Sequence, residues 1–255
     1  MASPTGALAE LLTAAVADDP ARPFITYYDD ALGDRAELST ATLDNWVAKT
    51  ANLLIDGCGL APGDRAAALL PAHWQTAAVL LGCWRAGLAI AHAGDSDQPQ
   101  PVDVIFSAAD RVDDARTWPA DERYALALAP LAAPLRVVPE GFGDYVTESR
   151  QHGDRFTPHQ PTDPDGEALL GAARRPLSHR ALHSAATSRA AELGLSKGSR
   201  LLAVDTPGTP ARPLDWLLAP LAAGASVVLC RNPDPEKLSA RAEQERVTVT
   251  LQEQP

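Results

Sequence analysis

Cysteine and long apolar runs are scarce in this sequence of 255 residues, and each shortage excludes a class of protein. The three cysteines, Cys58, Cys83 and Cys230, are far apart and form no CxxC pair, so they are expected to be small buried apolar side chains in a reducing compartment. No apolar run reaches the roughly 18 residues of a membrane span. The N-terminus lacks the basic segment of a signal peptide, and the sequence therefore predicts a cytoplasmic protein.

Basic charge is also in short supply. The chain has 22 Lys and Arg against 33 Asp and Glu, a net charge of −11. Nucleic acids and anionic membranes bind a basic face, so both are excluded as the main partner. The apolar content of 45% is ordinary for a folded protein, and the length suffices for one large α/β domain or two small ones.

Familiar catalytic and metal-binding motifs are missing or incomplete. No GxSxG elbow, HExxH pair, Ser-His-Asp order or paired carboxylate motif occurs, so hydrolase chemistry has no support and no catalytic residue is assigned. Gly166 and Gly171 have the GxxxxG spacing of a phosphate loop, but two alanines follow where Lys and Ser or Thr are required. His179 and His183 have a helical i, i+4 spacing that can bind zinc, yet no third ligand is signalled. No metal site is predicted.

The main positive signal is a strand-helix-strand layout that occurs twice. The first copy, 59–94, has a Gly/Pro turn, an apolar run, a helical pattern and a second apolar run, and the same order recurs over 194–229. A further predicted helix precedes each copy. Apolar runs of this length are typical of parallel strands covered on both faces, and the helix is the crossover between them. The sequence therefore predicts an α/β fold of duplicated α-β-α-β units that form mainly parallel sheets flanked by helices.

The helix of the first copy has one apolar stripe, which is expected to face the sheet. Its members are Trp74, Ala77, Ala78, Leu81 and Trp84. Truncating either Trp to Ala should cost about 3 to 5 kcal/mol if the stripe is buried.

A division into subdomains is predicted at the polar segment 141–167, which is rich in Gly, Pro, Asp and His. Residues 1–140 would form a first α/β subdomain with an N-terminal hairpin, 141–167 a connecting loop, and 168–255 a second, shorter subdomain. The hairpin is predicted from two β-prone runs, 24–28 and 35–38, with a loop of about five or six residues. Ser39 stands at the N-cap of the next helix. The charged segment 110–123 is expected at the surface.

Several short stretches, taken in order and spacing, carry a family resemblance. They are Leu38–Leu54, Leu60–Arg65, Leu70-Pro71, Ala86-Gly87, Leu177–Leu182 and Pro220–Ala225. Together they resemble the first half of the N-terminal domain of the AMP-binding, adenylate-forming superfamily, which includes acyl-CoA synthetases. The resemblance is strongest to a short family of such relatives from high-GC Gram-positive bacteria.

The sequence departs from that family where the family binds ATP. The resemblance implies a Thr/Ser/Gly-rich phosphate loop before His179, but Leu169–Pro176 contains no Ser, Thr or Lys. The family's later motifs and its catalytic lysine lid are also absent, and Lys49, Lys197 and Lys237 do not stand in such a context. The loop therefore does not support ATP, AMP or CoA, and no cofactor is predicted.

The candidate ligand-binding residues come from two regions. The two arginines of the changed loop precede a helix N-terminus, which favours anions, although solvated loop arginines are the plainer interpretation. Segment 205–210 follows a strand at its carboxyl end, where open α/β sheets bind ligands, although a simple turn explains it equally well. The resemblance adds the histidine after the loop. The candidates are Arg174, Arg175, His179, Asp205, Thr206, Gly208 and Thr209.

These observations favour a non-catalytic relative of AMP-dependent acyl-CoA synthetases that binds an acyl, carboxylate or adenylate ligand, or none, without ligation. The alternative is a protein-interaction subunit. A sheet edge left exposed after Leu251 would pair with a protein partner or a second copy of the chain. The third hypothesis is an active ligase that uses atypical residues.

Overall fold

The computed structural model describes residues 8–92, 99–171, 176–206 and 211–251, with the backbone alone at His92. The strands are β1 (Pro23–Asp29), β2 (Asp34–Ser39), β3 (Arg65–Leu69), β4 (Ala89–His92), β5 (Val102–Ala108), β6 (Ala120–Leu126), β7 (Gly143–Asp144), β8 (Glu167–Leu170), β9 (Leu177–Ser178), β10 (Arg200–Asp205), β11 (Ser226–Arg231) and β12 (Val249–Thr250). The α-helices are α1 (Ala9–Asp18), α2 (Thr40–Asn52), α3 (Trp74–Arg85), α4 (Val112–Arg116), α5 (Tyr145–Ser149), α6 (His179–Glu192), α7 (Ala219–Ala223) and α8 (Pro235–Gln244). Short π-helical turns extend α2 (Leu53–Gly57) and precede α7 (Leu214–Leu218).

The strands form two sheets. The seven-stranded sheet has the order β7-β6-β5-β3-β4-β8-β9, and the five-stranded sheet has the order β12-β10-β11-β1-β2. The hairpin pairs β1–β2 and β8–β9 are antiparallel, and the other described pairs are parallel. The predicted α/β fold with mainly parallel sheets is confirmed. No helix in the described part of the chain is both long and apolar enough to cross a membrane.

The two predicted copies contain equivalent backbone hydrogen bonds. The Gly63 N–H donates to the Gly87 carbonyl at 3.0 Å, and the Gly198 N–H donates to the Gly224 carbonyl at 3.1 Å. All four glycines have positive φ, between +66° and +99°. Residues with a Cβ rarely adopt this conformation, so the glycines at these positions shape the same turn in both copies. The two strands that follow these glycines in each copy, β3 with β4 and β10 with β11, pair in parallel, as predicted.

The hairpin that precedes each copy joins the sheet of the other copy. Strand β1 from the N-terminal hairpin pairs with β11, and β8 pairs with β4. Each hairpin ends at a serine that caps the next helix, because Ser39 Oγ and Ser178 Oγ each accept a backbone N–H at 3.2 Å. The sheets therefore do not follow the predicted boundary at 141–167, since each contains strands from both sides of it. The division into 1–140 and 168–255 as separate subdomains stays a prediction.

Helix α3 is more deeply buried than its stripe predicts. Trp74 and Trp84 are each 2% exposed, as expected, but every residue over 74–84 is buried. Helix α2 covers the face that the stripe leaves open, and the two helices approach closely where Gly82 lies against Thr50. The helix is therefore central to the core and not a cover on one sheet.

The segment expected at the surface, 110–123, and the predicted connecting loop, 141–167, both contain core elements. Within 110–123, Trp118 is buried and the Arg123 guanidinium donates to the carbonyls of three nearby residues, which accommodates its charge in β6. Within 141–167, Tyr145 of α5 is fully buried and its hydroxyl lies 2.7 Å from Thr50 Oγ1. The hairpin loop comprises only residues 30–33, so it is shorter than predicted. The charge and glycine content of these segments predicted surface positions, but their buried polar groups are hydrogen-bonded, Arg123 to nearby carbonyls and Tyr145 to the distant Thr50.

Candidate functional site

Three parallel strands of the five-stranded sheet end side by side in charged residues. In the sheet register, Arg231 at the end of β11 pairs with Asp29 of β1 on one side and Asp205 of β10 on the other. Tyr27 is two residues before Asp29 and shares its face, and its ring contacts His73 with centroids 4.4 Å apart. We call these five residues, Tyr27, Asp29, His73, Asp205 and Arg231, the carboxyl-end cluster.

The carboxylate oxygens of Asp29 already accept hydrogen bonds from neighbouring protein groups. Its side chain is buried and accepts hydrogen bonds from the backbone N–H groups of Ala31 at 3.0 Å and Leu32 at 3.3 Å. The Asn232 amide lies 3.1 Å from each carboxylate oxygen, and the Tyr27 hydroxyl donates at 3.4 Å. These donors stabilise the negative charge of Asp29. Asp29 therefore holds the hairpin loop against the strand end, and its carboxylate is not available to bind a ligand.

Asp205 connects the strand ends of the two sheets. It is 6% exposed, and its Oδ1 accepts the Ala211 N–H at 2.9 Å. Burial raises the pKa of this carboxyl, while the backbone N–H groups of Ala211 and Ala72 and the Arg231 guanidinium oppose the rise. Ala72 follows β3 of the seven-stranded sheet, so the carboxyl ends of β3 and β10 meet at this residue.

His73 is a fully buried, neutral histidine. Its Nδ1 accepts the Gln75 N–H at 3.0 Å and so caps α3. Burial lowers the pKa of His73 to about 3, and the positive charge of Arg231 adds to the effect. Because Nδ1 is an acceptor, the proton of the neutral ring lies on Nε2. This Nε2–H has no hydrogen-bond acceptor in the described part of the protein.

His179 does not join this cluster. It begins α6 next to Gly87, at the amino end of β4, whereas Ala72 and the cluster lie at the carboxyl ends. Its ring is buried, and the Gly87 carbonyl faces it without reaching hydrogen-bond geometry. Burial lowers the pKa of His179, and that carbonyl and Asp163 oppose the shift. Its position indicates that it packs between α6 and the sheet.

Of the other candidate ligand-binding residues, one lies next to Asp205 and the rest fall outside the described part of the chain. Thr206 is half-buried beside Asp205 at the end of β10. The predictions at Arg174, Arg175, Gly208 and Thr209 lie outside the described residues. Segments 93–98, 172–175 and 207–210 also lie outside the described residues. The segment that corresponds to the family's phosphate loop begins with Leu169 and Leu170, the last residues of β8, which pairs with β4.

Sequence reasoning found Asp205 and missed the rest of the cluster. A signal existed for Asp29 and Arg231, because each directly follows an apolar strand, as Asp205 does. No local pattern brings Tyr27 of β1 to His73 before α3, since the contact depends on how the two sheets pack.

The cluster is chemically suited to binding. Its available donors are the His73 Nε2–H and the Arg231 guanidinium, and it contains no serine or cysteine that a base could activate. Burial raises the pKa of Tyr27, so its hydroxyl stays protonated. The described residues include no group of three His, Cys, Asp or Glu side chains placed to hold a metal ion.

Comparison with known proteins identifies relatives of the chain. The AMP-binding enzyme family matches residues 12–111. The TIGR03089 family protein of Mycobacterium tuberculosis is 43% identical over 257 residues, which cover 98% of this chain and 100% of the relative.

Solved structures share the fold at low identity. An acyl-CoA synthetase from Brucella canis has a TM-score of 0.73 at 19% identity, covering 96% of this chain and 46% of that one. A putative long-chain-fatty-acid CoA ligase from Rhodopseudomonas palustris has a TM-score of 0.74 at 17% identity, covering 98% of this chain and 63% of that one. The chain thus spans about half the length of these structures. It belongs to the TIGR03089 family, a relative of the AMP-binding enzymes with the fold of the N-terminal part of acyl-CoA synthetases.

Proposed function

We propose that the protein binds an acyl, carboxylate or adenylate ligand at the carboxyl ends of its parallel strands and does not ligate it. The observation that carries the proposal is the composition of Leu169–Pro176, which has no Ser, Thr or Lys in a chain with the scaffold of acyl-CoA synthetases. Aligning a triphosphate for attack needs several donors on a flexible turn. Gly171 is the one glycine in this loop.

The strand ends supply what ligand binding needs. Open α/β sheets bind ligands where the carboxyl ends of their strands meet, and here β3 of one sheet meets β10 of the other. The cluster at this place supplies two donors and no nucleophile. These features support binding without bond formation.

The test is pyrophosphate exchange into ATP with the purified protein and a panel of carboxylic acids. We expect no exchange above the acid-free blank, while an active acyl-CoA synthetase assayed in parallel gives a strong signal. Acid-dependent exchange would overturn the proposal and favour the active-ligase hypothesis.

Thermal-shift measurements with AMP, CoA and fatty acids test the binding half of the proposal. A ligand present at 100 times its dissociation constant stabilises the fold by about 2.7 kcal/mol, which such an assay detects readily. A shift with AMP or a fatty acid is expected. Its absence for every ligand would overturn the binding claim.

A protein-interaction subunit is the second candidate, supported by exposed apolar side chains between β6 and β7. Leu131 is 84% exposed, Val137 81% and Val138 45%. Strand β12 also forms an edge of the five-stranded sheet. Light scattering should show an oligomer that Leu131→Asp and Val137→Asp convert to a monomer without loss of folding. A wild-type monomer at high concentration would count against self-association.

A further inference from the structure

The inference concerns how the ligand's polar end is held, and it rests on the function proposed above. We propose that the His73 Nε2–H and the Arg231 guanidinium together bind the carboxylate group of an acyl or carboxylic-acid ligand at the carboxyl-end cluster.

His73 is held in one tautomer by its cap contact with α3. Its Nδ1 is occupied by the Gln75 N–H, so the ring presents Nε2–H as a donor. His73 is 0% exposed, and this donor has no protein acceptor among the described residues. Buried donors in folded proteins nearly always have an acceptor. The Tyr27 ring is adjacent, but a contact with a π face satisfies an N–H poorly. The position therefore suits an oxygen acceptor from a ligand.

A positive charge lies near that donor. Arg231 ends β11 between Asp29 and Asp205, and it is only half-buried. Its guanidinium lies near the Tyr27 hydroxyl and close enough to His73 to influence the ring. No salt bridge joins Arg231 to a carboxylate within the described residues. Arg231, which forms no salt bridge within the described residues although Asp29 and Asp205 flank it, and the neutral N–H donor of His73 therefore both lie next to Tyr27.

These charges restrict the chemical class of the ligand. A cationic group would face Arg231, and a doubly charged phosphate would face Asp29 and Asp205 as well. Asp29 is offset by its loop donors, and burial disfavours the charged form of Asp205, so a single negative charge is tolerated. A planar carboxylate offers two oxygens, one for each donor. These constraints point to a monocarboxylate.

The experiment compares octanoate binding by the whole chain and by three variants, using isothermal titration calorimetry. His73→Asn keeps a side chain that caps α3 and removes Nε2–H, because Asn is a strong N-cap residue. Arg231→Gln removes the charge. His183→Asn, on the half-buried face of α6, is the matched control. We expect His73→Asn and Arg231→Gln each to weaken octanoate binding by about tenfold to a hundredfold, the range for a hydrogen bond to a charged group. The control and wild type should bind alike, and octan-1-ol should bind wild type more weakly than octanoate.

A second readout needs no variant at the site. Long-range ¹H–¹⁵N spectra of wild type should show His73 as the neutral Nε2–H tautomer, and its Nε2 and Hε2 signals should move when octanoate is added. Unchanged signals with octanoate bound, or full affinity in folded His73→Asn and Arg231→Gln, would overturn the inference and leave the proposed function standing. If wild type binds AMP but does not bind octanoate, the inference is likewise wrong and the proposed function still stands. If wild type binds neither AMP, CoA nor any fatty acid, both the inference and the proposed function are wrong.

Discussion

Gly82 lies in α3, and replacing it with Ala distinguishes helix propensity from packing. Helix propensity predicts that the substitution stabilises the protein, whereas packing predicts that it destabilises the protein. Considered as an isolated helix, Gly82→Ala should stabilise the protein by about 0.8 to 1 kcal/mol. In the structure, a Cβ at Gly82 would lie 2.5 Å from Thr50 Cβ, 2.6 Å from Thr50 Cγ2 and 3.3 Å from the Val47 carbonyl oxygen. These separations are well below van der Waals contact, so the substitution forces α2 and α3 apart.

The clash cannot be relieved by rotating a side chain. The obstructing Cβ of Thr50 is next to the backbone, and Thr50 Oγ1 is held by the Trp46 carbonyl at 2.8 Å and the Tyr145 hydroxyl at 2.7 Å. Overpacking costs about 1 to 3 kcal/mol, and the upper end applies where backbone must move. After subtracting about 1 kcal/mol for helix propensity, we expect a net loss of about 2 kcal/mol. For a chain of this size, that corresponds to a melting temperature lower by about 4 to 8 °C.

Urea unfolding followed by circular dichroism measures the change. The matched control is Gly153→Ala, where the nearest atoms to a new Cβ are 3.8 and 3.9 Å away, so its stability should stay within about 0.5 kcal/mol of wild type. If Gly82→Ala is as stable as wild type or more so, the close approach of α2 and α3 is wrong.

Three further outcomes are expected from the same urea titrations. Arg241 donates to Asp30 at 2.7 and 3.0 Å and lowers the pKa of Asp30 to about 2. Above roughly pH 4, the free energy of unfolding of wild type should therefore exceed that of Asp30→Asn by about 1 kcal/mol. That advantage should disappear as the pH falls through about 2, and a gap independent of pH would contradict the ion pair. Trp84 Nε1 donates to the Ala168 carbonyl at 2.9 Å, so Trp84→Phe should cost about 1 to 2 kcal/mol and Trp84→Ala about 3 to 5 kcal/mol. A Trp84→Phe variant as stable as wild type would show that ring volume, not this hydrogen bond, ties α3 to β8. Ser39→Ala should cost about 1 kcal/mol through the lost cap of α2, and no change would mean that solvent satisfies the first turn equally well.

The local elements of the fold were readable from the sequence because their signals are local. Apolar runs bounded by Gly and Pro predicted the parallel strands, and Ser39 predicted the start of α2. The segments around β6 and α5 were predicted wrongly, because the burial of their polar side chains depends on hydrogen-bond partners that only the folded chain supplies. Arg123, for example, is acceptable in a strand only because nearby carbonyls accept its N–H groups.

The candidate site was predicted far less well. Asp205 could be placed at a strand end because an apolar run precedes it. His179, expected near a ligand from the family resemblance, lies at the amino end of β4 and is buried against the sheet. No sequence signal pointed to His73, because its distinguishing features, a buried ring and an Nε2–H without an acceptor among the described residues, arise only in the fold.

By itself, the sequence determined the two copies, their helices and strands, and the glycine turns at Gly63 and Gly198, since periodicity, capping and positive φ act over a few neighbouring residues. Tertiary structure alone decided that the hairpin before each copy joins the sheet of the other copy and that the ends of β1, β3, β10 and β11 meet in one cluster. Strand pairing between distant segments depends on backbone groups that every residue carries, so a short stretch of sequence does not specify its partner.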